Sequence, residues 1–141
     1  MAALAADQIR DYEAGVNPVF NDLPVAASTT CYQGGAVGLD SGLAKPLADG
    51  FTFAGFANAQ ADNSAGVASD INVRVRSQGL IKIAVTGVTG VGDVGDDIYA
   101  ATDNDFNLAD TGTDVLVATV HRYVSGTTVI ASFEAASLRS I

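Results

Sequence analysis

The 141-residue chain has no tryptophan, one cysteine, one histidine and one methionine, and these shortages exclude several classes of protein. A single cysteine, Cys31, cannot form an intrachain disulfide, so the fold does not depend on a disulfide framework. No run of about 18 apolar residues is present, so the sequence predicts no membrane-spanning helix. The N-terminal segment has neither a basic start nor a sustained apolar run, so it is not typical of a secretory signal.

Positive charge is also scarce. Seven Lys and Arg residues face sixteen Asp and Glu residues, and the formal net charge is −9. Nucleic-acid affinity comes mainly from Lys and Arg that neutralise phosphates, and an anionic membrane surface repels an acidic chain. We therefore expect no nucleic-acid and no membrane partner. The basic residues are scattered, with one close pair at positions 74 and 76: Arg10, Lys45, Arg74, Arg76, Lys82, Arg122 and Arg139.

Aspartate, glycine and small apolar residues are abundant. Fourteen of the sixteen acids are Asp, fifteen residues are Gly, and the 48% hydrophobic fraction is mostly Ala and Val. Asp and Gly favour turns, whereas β-branched residues favour strands. This composition predicts many short strands joined by tight turns, with a core of small side chains in one domain.

Strand patterns recur from residue 24 onward with turn signals between them, which is typical of an all-β sandwich or barrel. The stretches "VLVATVHRYV" and "TVIASFEA", joined by "SGT", predict a hairpin, and "VLVAT" is apolar enough for a central strand. We predict a small antiparallel β-sandwich or barrel, jelly-roll-like, over residues 24–141. Around the tripeptide "SQG", which we interpret as a hairpin loop, apolar residues alternate with polar ones: Ile71, Val73, Val75, Ile81, Ile83 and Val85.

Residues 1–23 differ from the rest and predict an N-terminal arm that needs a partner surface. "AALAADQIRDYEAG" has enough helix formers for two or three turns, which Gly15 and Pro18 would end. "VNPVFNDLP" is typical of extended chain. The candidate partner-binding residues are three side chains of the arm and the arginine pair: Tyr12, Val19, Phe20, Arg74 and Arg76.

Two motifs near residue 100 have functional interpretations. "GVGDVG", from Gly90 to Gly95, matches the glycine pattern of dinucleotide-binding loops, but that pattern needs a helix after it, and "DDIYAAT" predicts a strand. Asp103, Asp105, Asn107 and Asp114 match positions 1, 3, 5 and 12 of a calcium-loop template, whose Gly and Glu are replaced by Leu108 and Asp114. A hairpin from Ile98 to Ala109 is favoured, and a cation site stays open as the minor alternative.

The sequence contains no motif that is typical of nucleophilic catalysis. His121 lies in a predicted strand, and no G-x-S-x-G or cysteine-protease motif surrounds Cys31 or any serine. We interpret His121 as a structural or interface residue and Cys31 as a small buried hydrophobe. The sequence therefore predicts no catalytic residues, no enzyme activity and no cofactor.

Four phrases in order carry a family resemblance: "GGAVGLDSGLAKPLADGFTFAGFAN", "INVRVRSQGLIKIAVTG", "VGDVGDDIYAATDNDFNL" and "VLVATVHRYVSGTTVIASFEA". Together they resemble the capsid decoration, or cement, proteins of tailed bacteriophages over residues 33–135. These phrases describe turns and strands, so no catalytic residue is carried over.

The resemblance implies a structural virion protein on the outer surface of the capsid, made in the cytoplasm of the host bacterium. Such a protein is a homo-oligomer, a dimer or trimer on a capsid symmetry axis, and clamps neighbouring major capsid subunits. An adhesin-like surface-binding module of a virion is the alternative, although sugar sites usually present aromatic platforms and this chain has four Tyr and no Trp. A cation-binding or enzymatic domain is the remaining alternative.

Overall fold

Twelve β-strands and two short 3-10 turns, at Val91–Asp93 and Ala136–Leu138, make up the regular structure of residues 3–14 and 18–138, the part of the chain that the computed structural model describes. No α-helix occurs in that part, and every strand pair is antiparallel, so the predicted all-β class is confirmed. The strands are β1 (Tyr12–Glu13), β2 (Val19–Pro24), β3 (Thr29–Cys31), β4 (Ala36–Asp40), β5 (Leu43–Pro46), β6 (Thr52–Ala57), β7 (Ala61–Asn63), β8 (Asn72–Ala84), β9 (Asp97–Ala100), β10 (Phe106–Asn107), β11 (Val115–Ser125) and β12 (Thr128–Glu134).

β8 is a single strand of thirteen residues, so the prediction of a hairpin loop at "SQG" is wrong. Ser77 is buried and faces the same side as Val75, so the alternation continues without a break. Gly79 has φ +156°, close to fully extended backbone, so the chain does not turn there. Two successive strands continue the pairing across this point, because β2 pairs with β8 from Asn72 to Gln78 and β12 pairs with it from Gln78 to Ala84.

The main sheet has the strand order β10-β9-β11-β12-β8-β6-β4-β5, with β1 and β2 also paired to β8, while β3 and β7 form a separate pair. The sheet curls without closing into a barrel. Its curvature brings β11 into contact with β6, although β12 and β8 lie between them in the order.

The curled sheet encloses two hydrophobic cores, both of which use the inward face of β8. Ile81 and Ile83 join a first core with four phenylalanines, whereas Val73 and Val75 join a second core of small residues around Val25. In the first core Phe56 packs edge-on against Phe53 and Phe133, with centroid distances of 5.7 and 4.9 Å. These are the separations that aromatic pairs prefer, so the ring cluster fixes the centre of the sheet.

Both predicted C-terminal strands and the acidic hairpin are confirmed. β11 lies between β9 and β12, as its apolar composition predicts, and Gly126 turns the chain into β12 with φ +55°. β9 pairs with β10 from Ala100 opposite Phe106, which is the predicted hairpin with shorter strands.

Candidate functional site

The five candidate partner-binding residues meet on one surface, which we name the arginine–aromatic patch: Tyr12, Val19, Phe20, Arg74 and Arg76. Arg74 and Arg76 lie on the face of β8 opposite to Val73 and Val75, which point into the second core. β2 supplies the neighbouring side chains, since Phe20 pairs with Arg76 and Asp22 with Arg74. β1 lies further along β8, where Tyr12 pairs with Ile81.

Both guanidinium groups lie on aromatic rings. The Cζ atom of Arg76 is 3.9 Å from the centroid of the Tyr12 ring and 5.5 Å from that of Phe20. Arg74 Cζ lies 5.0 Å from the centroid of the same Phe20 ring. Phe20 is therefore within cation–π distance of both guanidinium groups, although Arg74 remains solvent-exposed.

The aromatic contacts of the patch continue into the first core. Tyr12 packs on Phe133 at a centroid distance of 6.2 Å, and Phe133 packs in turn on Phe56. Burial of Tyr12 raises the pKa of its phenol, and the positive charges of Arg76 and Arg10 act in the opposite direction. Arg76 is thus held against a ring, that of Tyr12, which packs on the first core.

Neither arginine of the patch has an acidic partner within ion-pair distance among the described residues. Asp22 lies opposite Arg74 in the ladder, yet no salt bridge joins them. The Nε atom of Arg76 is buried and makes no hydrogen bond to any group of the described residues. Arg122 and Lys45, by contrast, pair with Glu13 and Asp40.

The patch has an apolar component on β2. Val19 and Phe20 are 37% and 36% exposed, so β2 presents two large apolar side chains to solvent. In the part of the chain that the structure describes, β2 forms a strand ladder with β8 alone. An edge strand with exposed apolar residues is a template for pairing with another chain.

Residues 3–14 lie along the β-domain as an extended strap, and the helical interpretation of this segment is wrong. Ile9, which a helix would direct toward the domain, is 82% exposed. Backbone groups of the strap bond to two loops and to β8 instead, because Gln8 N–H donates to Gln33 O and Lys82 N–H donates to Asp11 O. The role of residues 1–23 as a partner-binding arm stays a prediction, and residues 1–2 and 15–17 lie outside the described part.

Two side chains anchor the strap most firmly. The Leu4 N–H donates to Oδ1 of Asp103 at 2.9 Å. Arg10 donates from Nε to the Gly34 carbonyl at 2.9 Å and from Nη2 to the Asn104 side chain at 2.7 Å. Sequence reasoning missed Arg10 and named Asp103 only as a candidate cation ligand, because contacts between the strap and distant loops are not visible in the sequence.

The four residues of the calcium template have other partners in this structure. Asp103 is 2% exposed and binds the strap, so it is not the surface charge that a turn residue would supply. Burial raises the pKa of its carboxyl, and the Leu4 N–H and Arg10 partly oppose this. Asn107 accepts from the Ala109 N–H, Asp114 accepts from the Thr111 hydroxyl, and Asp105 lies half-buried at the bend. Within residues 3–14 and 18–138, no group of three or more His, Cys, Asp or Glu is placed to hold a metal ion.

The glycine motif forms an exposed turn. Val91–Asp93 is one 3-10 turn, and Asp93 accepts hydrogen bonds from the Thr89 and Gly90 N–H groups, which lower its pKa. β9 follows, so the helix that a phosphate loop needs does not form there.

His121 and Cys31 lie in different environments. His121 is exposed on β11, whereas Cys31 is 2% exposed in the second core. Burial, followed by the negative charge of Asp103, raises the pKa of the Cys31 thiol to about 12. A thiol held in this protonated form is a poor nucleophile, in agreement with a buried structural cysteine.

Comparison of the chain with protein-family models and with curated proteins finds no match in either set. None of the helical segments in the described residues is long and apolar enough to cross a membrane.

Proposed function

We propose that the protein is a structural virion protein that binds the outer surface of a bacteriophage capsid and clamps neighbouring major capsid subunits. The resemblance of residues 33–135 to phage decoration proteins supports this proposal, as does the net charge of −9, which packaged DNA would repel from the capsid interior. The protein acts as a homo-oligomer, which multiplies modest contacts by avidity, and it has no enzymatic role.

The arginine–aromatic patch is the observation that carries the proposal. An acidic protein exposes there an edge strand with two apolar side chains, Val19 and Phe20, beside two arginines that form no ion pair with the described residues. Exposed apolar groups beside polar ones are typical of protein-binding surfaces, and aromatic and Arg residues are those that dominate binding energy.

The test is co-sedimentation of the purified protein with undecorated mature capsids of the phage that encodes it. Saturable, stoichiometric binding and a higher heat tolerance of the capsids are expected. Phe20→Asp should abolish binding, whereas Val67→Asp, which changes an equally apolar side chain that is 67% exposed elsewhere, should not. Absence of the wild-type protein from the capsid pellet would refute the proposal.

A further inference from the structure

We propose that the arginine–aromatic patch binds an extended segment of the partner that carries carboxylate side chains and pairs along the outer edge of β2. This inference rests on the proposed function in one respect: the partner that supplies the segment is the capsid protein.

The guanidinium groups determine the chemistry of the ligand. The guanidinium carbon lies 3.9 Å from the Tyr12 centroid in Arg76 and 5.0 Å from the Phe20 centroid in Arg74. The Nε atom of Arg76 is buried, so the terminal Nη groups are the ones that can donate to a ligand. A carboxylate accepts two such N–H groups in one plane, which makes a bidentate pair stronger than a neutral hydrogen bond. The rings hold both groups in place, so less side-chain freedom is lost when the carboxylate binds.

The charge of the chain favours carboxylates over nucleic-acid phosphates. Two arginines form the whole cationic part of the patch, within a chain of net charge −9. Phosphate backbones are held by many cations that act together, and the surrounding acids would repel a polyanion. A protein segment with one or two carboxylates matches the charge of the two arginines without presenting a polyanion to the surrounding acids.

The position of the two arginines predicts how the segment lies. Both guanidinium groups lie over the Phe20 ring on β2, next to the edge of that strand which the described residues leave unpaired. A strand added there directs alternate side chains to the face that carries Phe20, within reach of Arg74 and Arg76. Its other side chains face away, so acidic and apolar residues should alternate along the bound segment.

The acid closest in register, Asp22, does not satisfy the site. It lies opposite Arg74 in the ladder without an ion pair, because the guanidinium lies over Phe20 instead. Asp22 restricts the positions at which the bound segment can carry its carboxylate, since a carboxylate directly beside Asp22 would be repelled. We therefore expect the segment to place its carboxylate beside Phe20 rather than beside Asp22.

The first experiment uses a short, end-capped peptide in which Val and Glu alternate, titrated calorimetrically into the full-length protein. Its matched control replaces every Glu with Gln. The Glu peptide should bind at least about tenfold more tightly, as expected for hydrogen bonds to a charged group. In NMR spectra the Glu peptide should shift the backbone amides of Val19, Phe20, Asn21 and Asp22. Equal affinity for the two peptides, or shifts confined to other strands, would overturn the inference.

Three variants test the arginines. The double variant Arg74→Gln/Arg76→Gln should lose the preference for Glu, and Arg74→Lys/Arg76→Lys should lose most of it, because an ammonium group keeps the charge without the planar fork. Lys82→Gln, an exposed position on the same face of β8, should bind as the wild type does. Thermal unfolding of each variant checks the fold, and full retention of binding by the Gln variant would contradict the proposal.

Capsid co-sedimentation separates this inference from the proposed function. If the wild type and the Gln double variant pellet equally with capsids, the function stands and the carboxylate site is wrong. If neither pellets while the peptide still binds the wild type, the site stands and the capsid partner is wrong. Sedimentation velocity adds one more outcome: dissociation of the homo-oligomer by the Gln substitutions would assign the patch to a second copy of the chain and overturn the inference.

Discussion

Arg76 and Tyr12 are in direct cation–π contact, with 3.9 Å between the guanidinium carbon and the ring centroid, and this contact joins β1 to β8. Tyr12 also packs on Phe133, so the pair connects the exposed patch with the first core. The rigidity of the patch therefore depends on the strap that carries Tyr12.

The Arg76–Tyr12 contact should contribute measurably to stability. In a double-mutant cycle of Tyr12→Leu and Arg76→Gln, followed by urea unfolding, we expect a coupling free energy of about 0.5–2 kcal/mol, the range for cation–π pairs from exposed to desolvated sites. The cycle cancels the separate contacts of each residue, including that of Arg76 with Phe20. Additive effects of the two substitutions would show that the contact contributes nothing.

Gly34→Ala should detach the strap from the domain. A Cβ atom at Gly34 would lie 1.9 Å from the Gln8 carbonyl oxygen, so the strap or the loop must move. Gly42→Ala is a matched control, since Gly42 has the same φ of +82° and no atom within 4 Å of the added carbon. Trypsin should cleave after Arg10 faster in Gly34→Ala than in Gly42→Ala, because Arg10 loses its bond to the Gly34 carbonyl. Equal cleavage rates in the two variants would mean that backbone strain at the substituted glycine, and not the clash with the strap, determines the effect.

Asp103 should make the protein less stable as pH rises. Burial raises the pKa of this carboxyl above its ordinary value of 3.8, so the folded state holds the proton more tightly than the unfolded state. Its stabilising contribution is therefore complete below the unfolded value and is lost as pH rises through the folded one. Asp103→Asn keeps an oxygen for the Leu4 N–H without the charge.

In urea titrations, the free energy of unfolding of Asp103→Asn minus that of the wild type should increase as pH rises from about 3 toward 7. A difference that does not vary with pH would contradict a raised pKa at this site. Asp103→Ala, which leaves the Leu4 N–H without its acceptor, should be about 1–3 kcal/mol less stable than Asp103→Asn at any pH, because neither variant titrates at this position.

Cys31 should react with thiol reagents only when the domain opens. It is 2% exposed, and its thiol pKa is raised to about 12, so the native state presents almost no thiolate at neutral pH. Labelling by a disulfide reagent should follow the unfolding rate as urea increases, with fully unfolded protein as the rapid control. Fast labelling of native protein without urea would place Cys31 at an accessible surface.

Local patterns predicted most of the β-structure correctly. The apolar run Val115–Thr119 indicated a central strand, and Ser125–Thr127 indicated a hairpin turn, because both depend on neighbouring residues. "SQG" resembled a turn in the same way, but β2 and β12 together pair with the whole length of β8 and keep it extended. Pairing between distant segments, which the sequence does not display, overrode the turn propensity of these residues.

The patch could be predicted in part. Exposed arginines on an alternating strand follow from period 2, but the contact of Arg76 with both Tyr12 and Phe20 requires the register of β1 and β2 on β8. The role of Asp103 was not predictable, because its partner, Leu4, is 99 residues away and offers only a backbone N–H.

The continuity of β8 also has a mechanical consequence. β2, which carries Phe20, joins β8 through six antiparallel residue pairs, and β8 continues beyond them into the first core. A tensile load applied to β2 along its axis acts on these pairs in parallel, as shear, rather than opening them one at a time. β8 then distributes that load to both cores, so a partner that pulls on β2 is resisted by the whole domain rather than by one edge strand.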